Sequence, residues 1–308
     1  MIDKLDEAKF QGAIHMIYGW LIIDKPLGLS SAQVVGRVKW ILQLKQKKLK
    51  IGHAGTLDPL ATGILPLAIG ECTKVVQFLT DADKGYEFEV TWGEERSTDD
   101  AEGSITQKSD IRCQMSEIET AMKQFQGEIE QIPPQHSAIK VDGQRAYDIA
   151  RDGKVADIKT RKITINKIEL LEHSEHKSKF RVHCSKGTYI RSIARDMGRL
   201  LGCYGYVSAL RRVAHGQFAL THAITLEKLE EMCKKGVEQA AILPLDEVLD
   251  DIPVLKLTEI EAQQVKNGIV LNTELQDTPC IRLYHENILI SIAEVSNQKL
   301  ITRRVFNL

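Results

Sequence analysis

The sequence predicts an α+β fold built on a mixed sheet. Three observations lead there. Tyr86, Phe88, Val90 and Trp92 alternate with polar residues, which is the period of a half-buried strand. Val34, Val38, Ile41 and Leu42 recur at helical spacing. Strands and helices interleave along the chain, but without the regular strand–helix–strand beat of a parallel sheet.

Taken in order, Trp20 to Asp24 reads as a short buried strand that enters a turn at Lys25-Pro26-Leu27-Gly28. Ser30 or Ser31 can cap the helix that follows, which runs to about Leu44. Ile64 to Ile69 is an apolar strand, and Thr98 to Gly103 is a polar turn. Ser116 to Phe125 is helical, with Ile118, Met122 and Phe125 on one side. Pro133-Pro134 breaks the pattern, and the chain to Lys162 is rich in Lys, Arg, Gly and Gln, as a protruding insertion would be. Ile163 to Leu171 and Phe180 to Cys184 are strands. Tyr189 to Leu201 is a helix with Ile193, Ala194, Met197, Leu200 and Leu201 toward a core. Arg191, Arg195 and Arg199 fall on its other side, and Gly202 ends it. Asp250, Asp251 and Pro253 mark a boundary, beyond which Ile281 to Tyr284, Ile288 to Ile292 and Ile301 to Phe306 read as short strands. The expected organisation is a loose extension over 1–15, a main domain over 16–250 with an insertion at about 131–162, and a small domain over 251–308.

With 308 residues and 43% hydrophobic content, the chain can bury a full core. Its net charge is −1, so overall charge does not announce a nucleic-acid binder. The distribution says more. Arg37, Lys39, Lys45, Lys47, Lys48 and Lys50 form one basic stretch. Lys177, Lys179, Arg181, Lys186, Arg191, Arg195, Arg199, Arg211 and Arg212 form a second. Both flank Asp58 in the sequence and point to a polyanionic partner. The six cysteines are scattered without a C-x-x-C pair, so reduced thiols are expected and neither a zinc site nor a disulfide scaffold. His173, His176, His183 and Cys184 lack the spacing of a metal site. Ile14 to Ile23 is too short and too interrupted to span a membrane, and the N-terminus lacks the pattern of a secretory signal. The expected compartment is the cytoplasm, and the absence of a leftover apolar stripe points to a monomer.

The chemistry concentrates between Gly52 and Lys74, in GHAGTLDPLATGILPLAIGECTK. Asp58 and Glu71 are its acids, and Asp58 alone sits among Gly, Ala, Leu, Ile and Pro. A carboxylate in such company is costly unless something pairs with it or uses it. Pro59 holds Asp58 away from the helical region, so the acid belongs on a turn or extended segment. His53 adds a flat ring to the same loop.

This string closely resembles the catalytic motif of the TruB family of tRNA pseudouridine-55 synthases. LIIDKPLGLSS (Leu21 to Ser31), QIPPQHSAIKVDGQRAYDIAR (Gln131 to Arg151) and CSKGTYIRSIARDMG (Cys184 to Gly198) resemble further blocks of that family, in the same order. Ala209-Leu210-Arg211-Arg212 follows the last of these. Ala54 departs from the small hydroxyl residue common in the family and leaves Asp58 and His53 in place. The resemblance implies a largely antiparallel pseudouridine-synthase sheet flanked by helices and a small C-terminal PUA-like β-barrel. It implies isomerisation of the T-loop uridine of tRNA, with neither cofactor nor metal and no obligate protein partner. It assigns Asp58 as the essential carboxylate, acting on ribose C1′, on uracil C6 or on a ribose proton. Arg191 is its ionic partner. Tyr86, Tyr189 and Leu210 wall the base pocket, Tyr86 as a stacking face or also as the acceptor of the C5 proton, and His53 fills the space of the flipped base. Lys25, Lys74, Lys140, Arg151, Arg211 and Arg212 are RNA-binding candidates, as phosphate contacts or pocket scaffolding. Two rival readings use the same features: a guide-RNA-dependent enzyme of the dyskerin type, and a non-catalytic helper of tRNA folding.

Overall fold

The computed structural model describes residues 18–44 and 48–308. The expected N-terminal extension, and Lys45 and Lys47 of the first basic stretch, lie outside the described residues. β1 (Gly19–Lys25) is apolar and buried along almost its whole length, as a strand inside a covered sheet must be. Ser30 caps α1 (Ser31–Ile41) in a capping box with Gln33, and Val34, Val38 and Ile41 form its buried face. β2 (Ile51–His53) and β3 (Ala61–Ile69) flank the loop that carries Asp58. α2 (Val76–Asp81) leads to β4 (Lys84–Trp92), where the alternating aromatic residues are buried.

β5 (Glu94–Arg96) and β6 (Ile105–Lys108) form a hairpin, followed by α3 (Met115–Phe125) and β7 (Gly127–Gln131). Next come the short β8 (Lys140–Val141), β9 (Gln144–Arg145) and α4 (Ala146–Arg151). This segment has a small apolar cluster of its own, Ala146, Ala156 and Ile158. β10 (Arg161–His173) and β11 (Lys177–Cys184) return to the sheet. α5 (Ile190–Leu200), β12 (Gly205–His215), β13 (Phe218–Ala219), α6 (Leu226–Lys234) and β14 (Ile242–Leu243) complete it.

Ten strands join in one mixed sheet, in the order β14-β1-β3-β12-β4-β11-β10-β7, with β2 on β3 and β13 on β12. Its pairings are antiparallel except that of β3 with β12. The parallel pair sets Ala61 opposite Leu210 and Gly63 opposite Arg212. It therefore brings the chain just after Asp58 against the Leu210-Arg211-Arg212 segment. Gly63 has φ +96°, and a Cβ there would lie 2.2 Å from the Arg212 carbonyl oxygen, so only glycine fits.

The C-terminal part comprises β15 (Val254–Lys256), α7 (Glu259–Lys266), β16 (Leu271–Asn272), β17 (Thr278–His285), β18 (Ile288–Ser296) and β19 (Lys299–Val305). Its strands run in the order β15-β17-β18-β19-β16. Among the described residues the edge strands β15 and β16 do not pair, so this is a curled half-barrel of PUA-like form. Leu289, Ile292 and Phe306 from this sheet share an apolar cluster with Trp20, Ile22 and Ile64 of the main one. Lys74 Nζ donates to the Val305 carbonyl at 2.8 Å, and the Asn307 amide donates to Glu71 at 2.8 Å, across the same seam. No helix among the described residues is long and apolar enough to cross a membrane.

Two expectations are corrected here. Cys113 and Cys203 form a disulfide, where reduced thiols were expected. The turn after α5 brings Cys203 against the segment before α3, a meeting that the scattered spacing conceals. Two of the three arginines of α5 do not face solvent, while Arg199 does. Arg191 and Arg195 are buried, because Asp99 and Asp100 of the neighbouring turn close over that side. Arg199 forms two hydrogen bonds with Glu95, at 2.6 and 2.8 Å.

Candidate active site

The loop from His53 to Leu60 is fixed at several points. Ser31 Oγ accepts from the Leu57 amide at 2.8 Å and donates to the Leu57 carbonyl at 3.0 Å. The Pro59 carbonyl accepts from the Gly28 amide at 2.9 Å, and the Ala61 amide closes a turn on the Asp58 carbonyl at 3.0 Å. Lys25 lies fully buried beneath, its ammonium donating to the carbonyls of Pro26, Leu29 and Pro59. Burial pushes this lysine down to about 8, opposed by the charge of Asp58.

Asp58 stands at the edge of this scaffold with its side chain 40% exposed, open to a substrate. Arg191 Nη2 reaches its Oδ2 at 3.0 Å. The same guanidinium lies 3.4 Å from Asp100 and donates to the carbonyls of Thr98 at 2.9 Å and His136 at 3.0 Å. Arg191 is thus held on several sides, and it fixes a positive charge beside the carboxylate. Behind it, Arg195 binds Asp99 at 2.9 Å and the Ile132 carbonyl at 2.8 Å. Burial pushes Asp99 up to about 6, against the pull of Arg195 and Arg191.

A cleft of about 650 Å³ opens beside Asp58, a size typical of small-ligand pockets. Tyr86, Tyr189, Arg191 and Leu210 line it, with Arg212 and Lys84. The Tyr86 phenol lies against the Arg212 guanidinium, and burial raises its pKa despite that charge. Arg212 is 1% exposed and donates to the carbonyls of Ile64 at 2.7 Å and Gly55 at 3.2 Å. Tyr189 opens α5, and the side-chain amide of Gln131 grips both its backbone groups, at 2.8 Å to its N–H and 3.1 Å to its carbonyl. Burial raises the Tyr189 phenol, and Arg161 lies 5.7 Å over its ring. His53 ends β2 outside the lining of the cleft. Burial and then the nearby Arg212 lower its pKa, so the ring stays neutral, and its Nδ1 has no hydrogen-bond partner.

The residues expected to contact RNA separate into two groups. Lys140 and Arg151 are exposed in the segment after β7. Lys25 and Arg212 are buried and bound to backbone carbonyls, as the scaffolding alternative requires and a phosphate contact does not. Lys74 is held by Glu71 at 2.6 Å, at the seam with the half-barrel. Arg211 is held by both oxygens of Asp24, at 3.0 and 2.7 Å. Much of the second basic stretch is paired in the same way: Lys177 with Glu89, Arg181 with Glu87 and Lys186 with Asp81. Sequence reasoning missed Asp100, Asp99, Arg195 and Gln131 as parts of the site. The available signal was the run of two acids in TDDAEG opposite arginines spaced four apart.

Comparison with known proteins agrees with this architecture. The N-terminal domain model of the TruB family of pseudouridylate synthases matches residues 39–190, and the C-terminal domain model of tRNA pseudouridylate synthase B matches 191–250. A Rhodopseudomonas palustris protein named tRNA pseudouridine synthase B is 44% identical over 95% of this chain and 81% of its own. Its namesake from Ehrlichia ruminantium is 45% identical over 94% of this chain and all of its own. Among solved structures, a chain from the crystal structure of a Cbf5-Nop10-Gar1 complex superposes with a TM-score of 0.71 at 27% identity, covering 96% of this chain and 85% of that one. Fold and site together define a pseudouridine synthase. Within that class, the chain belongs to the TruB family. Its cleft draws on both matched regions, with Asp58 from the first and Arg191 from the second.

Proposed function

We propose that this protein converts uridine to pseudouridine in tRNA, at position 55 of the T-loop, with Asp58 as the essential carboxylate. The observation that carries the reading is the Asp58–Arg191 pair, open to a cleft walled by two tyrosines and a leucine. Relatives named tRNA pseudouridine synthase B, at 44–45% identity over most of the chain, support tRNA as the substrate. We infer action in the cytoplasm as a monomer.

The reaction exchanges the C1′–N1 bond for a C1′–C5 bond. The base gains a proton at N1 and loses the one at C5, so no electrons are gained or lost. Arg191 fixes a positive charge 3.0 Å from the carboxylate that acts on the sugar or base. Tyr86, Tyr189 and Leu210 hold the detached ring while it turns. The raised pKa of Tyr86 keeps its phenol protonated, which suits a wall and hydrogen-bond donor better than a base. A uridine inside a folded loop must flip out to reach this cleft. The neutral ring of His53 is suited to fill the space it leaves, since an uncharged ring stacks among bases without the cost of desolvating a charge. The guide-RNA-dependent reading is favoured only by the likeness to the Cbf5 chain, which has the lower identity.

The test is tritium release from a tRNA transcript labelled at uridine C5, with wild type and Asp58→Asn compared. Wild type alone should release tritium, and changing the target uridine to cytidine should abolish release. Tight tRNA binding by wild type without any release would sink the reading.

A further inference from the structure

A second feature lies outside the cleft, on the outer face of α1. Trp40 is 69% exposed there, while Val34, Val38 and Ile41 of the same helix face the core. Single exposed apolar residues are common and need no explanation by themselves. The surroundings of this one are unusual. From Arg37 to Lys50 the sequence contains no acidic residue, in a chain whose net charge is −1. Lys39, Lys48 and Lys50 are exposed beside the helix, and among the described residues no acid pairs with them. Arg37 lies 5.6 Å from the Trp40 ring and is met by Glu230 at 3.5 Å. A large exposed aromatic ring in a stretch of exposed, unpaired lysines is the composition of a base-stacking platform on a phosphate-binding surface.

The position of this surface sharpens the reading. α1 begins at Ser31, which holds Leu57, the neighbour of Asp58. Eleven helical residues carry the chain about 16 Å away from that point. After the turn, Lys50 leads directly into β2, which ends at His53. The wall that bears Trp40 therefore starts and finishes in the loop of the active site. A tryptophan stacks on an unpaired base and not on one inside a stem. The paired stem of the T-arm offers no such base. In folded tRNA the D-loop lies against the T-loop, and opening the T-loop to flip its uridine exposes unpaired D-loop bases.

We propose that the outer face of α1 is a second RNA-docking surface, on which Trp40 stacks an unpaired D-loop base of the substrate tRNA while Lys39, Lys48 and Lys50 contact its phosphates. This rests on the reading of tRNA as substrate. It adds a contact outside the T-arm.

Equilibrium binding of the full-length protein separates the possibilities. Wild type, Trp40→Ala and Trp40→Phe are titrated with an unmodified whole-tRNA transcript and with an isolated T-arm hairpin. Trp40→Ala should bind the whole tRNA about tenfold more weakly, equivalent to about 1.4 kcal/mol. Its affinity for the hairpin should stay within about twofold, and Trp40→Phe should recover most of the loss. Lys48→Ala should flatten the dependence of log K on log salt by about one unit for the whole tRNA. Equal affinity of Trp40→Ala and wild type for the whole tRNA would overturn the proposal, as would an equal loss on the hairpin. Tritium release by wild type on the hairpin is read in parallel, so failure of the substrate assignment is seen separately.

Discussion

Arg191 Nη2 sits 3.0 Å from Asp58 Oδ2, while Nη1 of the same guanidinium lies 3.4 Å from Asp100 Oδ2. One side chain thus serves a carboxylate open to the cleft and another that is closed to solvent. Truncating it leaves Asp100 as an unpaired buried charge as well as freeing Asp58. Arg191→Ala should lose about 3 kcal/mol of stability and at least about a hundredfold in turnover. The fold is therefore less tolerant of this change than a purely catalytic arginine would make it. Arg191→Lys keeps the charge without the fork, so it should regain stability more than activity. Near-normal turnover by Arg191→Ala would remove the assignment.

Gln131 acts on the cleft without entering it. Its amide satisfies the N–H and carbonyl of Tyr189 together, at the point where β7 gives way to the segment after it. Gln131→Ala should cost about 1–3 kcal/mol through the unpaired backbone groups. It should also lower kcat/KM about tenfold, because the ring of Tyr189 loses its fixed base. Gln131→Glu keeps only the acceptor and should fall in between. A variant that melts early yet retains full kcat/KM at low temperature would limit Gln131 to a structural role.

His215 should make the protein sensitive to acid. Its Nε2 lies 2.8 Å from the Leu79 carbonyl. Burial first, then the charges of Arg212 and Lys84, hold its pKa down to about 2, against an ordinary value of 6.5. Below pH 6.5 the unfolded chain takes up a proton that the folded chain refuses. Stability is therefore complete above that pH and falls as pH drops toward 2, by about 1.4 kcal/mol per unit. His53, also lowered, adds a smaller loss of the same sign. Urea midpoints at pH 7.5 and 5.5 should show the decline in wild type and a shallower one in His215→Gln. Equal slopes would contradict the assignment.

Gly63 and Gly36 should respond in opposite directions to the same change. Gly63→Ala puts a methyl group into the Arg212 backbone at positive φ and should cost about 3 kcal/mol or more. Gly36 lies in α1 with nothing within 4 Å of an added Cβ, so Gly36→Ala should stabilise by about 0.5–1 kcal/mol. Thermal melts of the two variants test the pair together.

Asp58 was legible in the sequence because the whole string around it resembles a family motif, where an acid in an apolar, glycine-rich stretch only drew attention to it. The strand of Tyr86 was legible from its alternation, and the end of α5 from Gly202. The environment of Arg191 was not. Arginines spaced four apart look like a solvated face until the opposite wall is known, and that wall comes from a turn remote in sequence. The same holds for Lys25, whose carbonyl partners carry no side-chain signature, and for Gln131, which binds backbone alone. The parallel pairing of β3 with β12 and the Cys113–Cys203 bond are likewise products of topology, which periodicity does not report.

Phe306, 1% exposed, fills a cluster that also holds Trp20, so the segment just after the last strand packs against the first one. During synthesis, every residue of the cleft leaves the ribosome well before Phe306 does. Until then the cluster behind β1 lacks one of its apolar members, and the sheet beneath Asp58 one of its supports. A message cut just before Phe306 would still encode the whole cleft, yet its product would be a substrate for proteases before it was a catalyst.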